Sequence, residues 1–96
     1  MTFDEFKTSL ASDTAPANLS SYLTVLWLDA KGDWDGAHDA LQEDNSKTSA
    51  WVHAYLHRKE GDAANANYWY RRADRTMPEE TLEQEWESIT KALLAK

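Results

Sequence analysis

The dipeptide Gly-Asp occurs twice in this chain, as Gly32-Asp33 and Gly61-Asp62, offset by 29 positions. The same shift brings Ala37 onto Ala66, Tyr22 onto Trp51 and Leu23 onto Val52. These coincidences fall where a helical hairpin is most constrained. The glycine ends one helix, the aspartate caps the next, and the alanine sits where two helices touch. A period in this range is the mark of a chain built from repeated helical hairpins.

Apolar spacing around the two dipeptides predicts the helices. Leu19, Tyr22, Leu23, Leu26 and Ala30 line one face of a helix from about Pro16 or Leu19 to Lys31. Trp34, Ala37, Ala40 and Leu41 share a face of the next, over 34–43. After the polar turn Asn45-Ser46-Lys47-Thr48 the pattern restarts, with Trp51, Val52, Tyr55 and Leu56 on a helix over 48–60 and Ala66, Tyr70 and Ala73 on one over 63–74. Hairpin one thus spans about 19–43 and hairpin two about 48–74. Phe3, Phe6 and Leu10 define a short helix over 3–11, and Leu82, Trp86, Ile89 and Leu93 a long one over 79–94. The run Thr76-Met77-Pro78-Glu79 reads as the capping box that opens the last helix. The expectation is a single all-α domain, 1–96, of about six helices.

Residues 50–78 resemble the tetratricopeptide and Sel1-like repeat families. Ala54 stands at the small position of the first helix, Gly61-Asp62 at the turn, and Ala66, Tyr70, Ala73 and Pro78 follow in register. The run Ala66-Asn67-Tyr68-Trp69-Tyr70-Arg71-Arg72-Ala73 is similar to the second-helix signature of Sel1 repeats, a small residue followed by Trp-Tyr-basic-basic-Ala. Residues 22–44 keep Gly32-Asp33 and Ala37 but lack the closing Ala and Pro. The stretch from His53 to Asp62 also resembles segments of small bacterial proteins. The resemblance implies two antiparallel hairpins. Stacked repeats need about three units to bury their faces, so the N-terminal and C-terminal helices are expected to cap the pair.

Composition narrows the function. The chain has no cysteine, which removes disulfides and thiolate metal sites. The N-terminal run Met-Thr-Phe-Asp-Glu-Phe is acidic, unlike a secretory signal, and no apolar run is long enough for a bilayer, so a cytoplasmic location is expected. The formal charge of −7 disfavours nucleic acid. Tyr68, Trp69, Tyr70, Arg71 and Arg72 mix aromatic and basic groups, but helical spacing points them in several directions. No phosphate loop, dinucleotide fingerprint or nucleophile–base motif is present, so no cofactor is expected. The run Lys31-Gly32-Asp33-Trp34-Asp35-Gly36 imitates a calcium loop but places Lys31 and Gln42 where the ion requires carboxylates.

Two candidate sites remain. The surface corresponding to the concave face of the related repeats carries Tyr22, Leu26, Asp29, Trp51, Tyr55, Arg58 and Lys59. Aromatic anchors beside cations suit a protein or peptide partner, including an acidic segment. The alternative is that helix 79–94 covers this face, with Trp86 on Trp51 or Tyr55 and glutamates on Arg58 and Lys59. The second candidate is His38, His53 and His57. His53 and His57 have the four-residue spacing of helical zinc ligands, although the glutamate of a metalloprotease helix is missing from His53-Ala54-Tyr55-Leu56-His57. The expected function is an interaction or adaptor module. A metal-dependent hydrolase or metal-binding protein using the histidines and an oligomerising structural domain are the alternatives.

Overall fold

Each predicted helix forms, and its boundaries are set by side chains that satisfy the free N–H groups of its first turn. The computed structural model describes residues 1–41 and 46–95. Six helices occur among them and no strand: α1 (Phe3–Ser9), α2 (Ser21–Ala30), α3 (Trp34–Ala40), α4 (Lys47–Lys59), α5 (Ala63–Arg72) and α6 (Leu82–Leu94). The expected ends of the helix at 34–43 and Asn45 of the expected turn lie outside the described residues.

The two Gly-Asp turns are near copies in three dimensions. Gly32 and Gly61 take φ of 86° and 90°. Asp33 then donates its N–H to the Leu28 carbonyl, and Asp62 donates to that of His57, both at 3.0 Å. The aspartate side chains accept from the Gly36 and Asn65 N–H groups and so cap α3 and α5. Leu28 and His57 are related by the 29-residue shift, so the sequence repeat is a repeat of hydrogen bonding. A third turn of this kind follows α5 without a glycine. Asp74 takes φ of 63°, and Arg75 donates its N–H to the Tyr70 carbonyl.

Two helix starts differ from expectation. Ser20, through its hydroxyl, caps α2, which places Pro16 to Leu19 in the loop before it. Thr81, not Thr76, forms the capping box of the last helix: its hydroxyl accepts from the Gln84 N–H, and the Gln84 side chain accepts from the Thr81 N–H. Both threonines fit the box pattern. The Arg58 guanidinium takes the Glu80 carbonyl as an acceptor, which holds residues 78–80 as an irregular segment over α4.

Pairs α2·α3 and α4·α5 form the hairpins, α4 also packs on α2 and α3, and α6 lies against both α2 and α4. Helix α1 completes the stack by packing on α6. The main core gathers Phe6, Leu23, Val25, Leu26, Trp27, Val52, Tyr55, Leu56, Trp86, Ile89 and Leu93. Ala37, Ala54 and Ala66 are fully buried, where the small side chain lets helices approach. The resulting molecule has a radius of gyration of 12.5 Å. Among the described residues no helix is long and apolar enough to cross a membrane.

A Cβ built on Gly61 would meet nothing within 4 Å, so Gly61→Ala adds no clash and carries only the left-handed backbone penalty. It is expected to lower stability by roughly 1–2 kcal/mol, while Gly61→Asn loses less because asparagine tolerates that conformation. Urea unfolding midpoints of the two variants, with an unchanged dependence on urea, check this.

Candidate functional site

Helix α6 lies across α2 and α4, over part of the expected binding surface. Asp29 and Tyr55 are buried with 1% and 2% of their surface exposed. The Tyr55 hydroxyl donates to Asp29 Oδ2 at 3.0 Å, and Lys59 Nζ lies 2.9 Å from Asp29 Oδ1. A matching set joins hairpin two to α6. Glu85, 2% exposed, receives the Tyr70 hydroxyl at 2.6 Å and Arg58 Nη1 at 2.8 Å. Among the described residues no buried side-chain nitrogen or oxygen lacks a partner. Burial, reinforced by the facing carboxylates, raises the ionisation of Tyr55 and Tyr70 well above the ordinary phenol range.

Of the expected surface residues, Leu26, Asp29 and Tyr55 are buried, Tyr22, Trp51 and Arg58 are half-buried, and Lys59 is exposed. Leu26 is fully buried in the core. Trp86 is held by Phe3 and Phe6, with ring centroids 5.9 Å away in each case, and its indole N–H donates to the Leu26 carbonyl at 3.0 Å. Tyr22 lies apart, half-buried, with its hydroxyl 3.1 Å from Ser46 Oγ. It borders a shallow apolar groove with Leu19, Leu93 and Leu94.

Two hollows border the expected residues: one of about 390 Å³ along Asp29, Tyr55, Lys59 and Trp86, and a cleft of about 550 Å³ beside Trp51, between α4, α5 and the chain leading into α6. The lining of the cleft includes Tyr70, Arg71, Asp74, Arg75, Glu80 and Glu85. Arg75 lies on the Trp51 ring, its guanidinium carbon 3.5 Å from the centroid, a close cation–π contact. Each acid of the cleft already has a partner. Asp74 pairs with Lys47 at 2.9 Å, which lowers its ionisation below the usual carboxylate value. Glu80 accepts from the Ser88 hydroxyl at 2.8 Å, and Glu85 belongs to the Arg58–Tyr70 set. Among the described residues Arg71 and Arg75 make no ion pair, and Arg71 contributes only a long bond to its own helix at the Asn67 carbonyl. The cleft therefore presents two guanidinium groups, one laid flat on an indole, to anything that enters.

Trp51 was among the expected surface residues, and its neighbours Arg71 and Arg75 were not. The missing signal was Asp74: its left-handed turn swings Arg75 back over α4, and no glycine marks that turn in the sequence.

The three histidines do come together. Ring centroids of His38 lie 5.5 Å from His53 and 5.4 Å from His57, and those of His53 and His57 are 6.3 Å apart. Trp34 stacks on His38 at 5.0 Å and Trp69 on His53 at 4.3 Å, so indoles flank the group on two sides. His53 Nδ1 is 3.2 Å from the Ser49 carbonyl, and His57 Nδ1 is 2.6 Å from Glu60 Oε1. No family model matches the chain, and neither a curated protein nor a solved structure matches it.

Two measurements test the buried sets. Arg58→Ala leaves Glu85 buried without its cation and is expected to cost about 3–5 kcal/mol in urea unfolding; a loss below about 1 kcal/mol would show an ion pair behaving as if exposed. The tyrosines predict alkaline sensitivity. In the unfolded chain Tyr55 and Tyr70 ionise near pH 10, whereas in the fold they stay protonated to higher pH. Their contribution is complete below about pH 10 and declines as pH rises beyond it. The urea midpoint should therefore fall between about pH 9 and pH 11, and fall less in the Tyr55→Phe/Tyr70→Phe double variant.

Proposed function

We propose that this protein is a small helical-repeat interaction module, and that its docking site is the Trp51–Arg75 cleft, which takes an acidic segment of a partner protein. The observation that carries the reading is the Arg75 guanidinium stacked on Trp51 at 3.5 Å with no carboxylate partner among the described residues. Stacking holds the guanidinium in place before a ligand arrives, so less side-chain entropy is lost when a carboxylate binds in its fork. Arg71 adds a second positive charge on the same lining. The net charge of −7 repels an acidic ligand over most of the remaining surface, which favours this one approach.

The paired Gly-Asp turns, with matching dihedral angles and hydrogen bonds, support assignment to the tetratricopeptide and Sel1-like style of repeat. In this reading α6 occupies the centre of the concave face, and the ligand is displaced to the end where α5 runs into the last helix.

Fluorescence anisotropy with labelled acidic peptides and composition-matched peptides carrying amides in place of the acids tests the proposal. Acidic peptides should bind the wild-type protein more tightly, with affinity that weakens as salt rises, and an Arg71→Ala/Arg75→Ala variant should lose about tenfold or more. Equal binding of acidic and amide peptides, or equal binding by the double variant, would sink the assignment.

A further inference from the structure

The two Gly-Asp turns have one difference that the backbone does not require. In hairpin one the turn is flanked by Leu28 and Lys31; in hairpin two the equivalent residues are His57 and Glu60. Hairpin one makes the same left-handed glycine, the same bond to the carbonyl five residues back and the same aspartate cap without an imidazole or a second carboxylate. His57 and Glu60 are therefore additions to a turn that is already complete.

Their placement gives them a common purpose. His57 is buried, 8% exposed, with Nδ1 facing the Glu60 carboxylate. The chain reverses at Gly61 and returns the Asp62 carboxylate to the same point, so that donor atoms of His57, Glu60 and Asp62 all lie within 4.8 Å of one another. Asp62 caps α5 through one oxygen, Oδ1, which leaves Oδ2 for a second bond. One imidazole and two carboxylates are donors that suit a borderline divalent ion such as zinc, with solvent supplying the fourth position. The interior side is walled by the His38 ring and by Trp34, whose centroid is 6.1 Å from that of His57. A loop of the same shape in hairpin one, with Lys31 in place of Glu60, would repel the ion.

We propose that His57, Glu60 and Asp62 form a zinc site at the second Gly-Asp turn, clamping the end of α4 to the start of α5. The ion takes the place of the proton between His57 and Glu60 and draws the three donors inward by the short distance that zinc coordination requires. The expected donor set is thus not the three histidines that sequence spacing suggests. It combines one of them with two carboxylates that follow within five residues.

The test uses tag-free, metal-stripped protein and zinc alone, read by titration calorimetry and by the melting temperature. Wild type should bind one ion and melt higher in its presence, because the ion binds the folded hairpin. Glu60→Gln and Asp62→Asn should each weaken zinc by about tenfold or more. Both should fold, since Glu60 is exposed and asparagine is as good a helix cap as aspartate. Asp33→Asn, at the matching cap of hairpin one, should bind zinc like the wild type. Absence of zinc binding by the wild type would overturn the proposal. So would binding that survives both Glu60→Gln and Asp62→Asn, whether it is then lost in a His38→Gln/His53→Gln variant or not.

Discussion

Two buried carboxylates hold the helices of this protein in one arrangement. Asp29 on α2 takes a tyrosine hydroxyl and a lysine from α4, and Glu85 on α6 takes an arginine from α4 and a tyrosine hydroxyl from α5. A carboxylate left unpaired in such a position costs several kcal/mol, a large part of the roughly 5–15 kcal/mol that stabilises a whole domain. Sliding α6 by one turn, or rotating it, would strand Glu85 against α4 and α5. The apolar stripe of α6 attracts it to the hairpins, since Trp86, Ile89 and Leu93 leave water there. Hydrophobic attraction alone tolerates several registers. The two ionic sets select among them.

Tryptophan serves the same end with a different chemistry. Trp27, Trp34 and Trp86 each contribute a large apolar face and donate an indole N–H to another element: to Ser9 on α1, to the Leu56 carbonyl on α4 and to the Leu26 carbonyl on α2. In a domain of this size, where relatively little surface can be buried, such residues combine burial with directional contact. The Trp86 bond joins residues 60 positions apart, which ties the last helix directly to the first hairpin. Trp51 differs from these three in its place: it lies at the rim of the cleft and is covered on one face by Arg75.

The packing of α6 over α2 and α4 has a consequence for function. In an open stack of repeats, residues such as Tyr55 and Arg58 would be free to meet a partner; here the protein's own carboxylates occupy them. The binding reading then rests on what α6 leaves uncovered, and the unmatched guanidinium groups of Arg71 and Arg75 lie there. The zinc reading occupies the opposite end of α5, at its first turn, so the two readings use separate residues and each can stand or fall without the other.

The helical class, the two hairpin turns and the shared face of His53 and His57 were legible in the sequence, because those follow from local rules, whereas the approach of His38 to them came from the packing of α3 on α4. Apolar spacing marks a helix face, glycine and aspartate mark a turn, and residues four apart on a helix project together. The sequence also raised the choice between an open and a covered concave face without resolving it. Thr76 and Thr81 offered the same capping pattern, and only the bond from Arg58 to the Glu80 carbonyl, made across the fold, settled which one opens the last helix. The partnership of Glu85 with Arg58 and Tyr70, the position of Arg75 over Trp51 and the meeting of His57 with Asp62 were likewise decided by tertiary structure. Each depends on where a turn or a neighbouring helix delivers a side chain in space. A single chain carries no local pattern for that, because charged residues of both signs are abundant and any of them could have been paired on the surface instead.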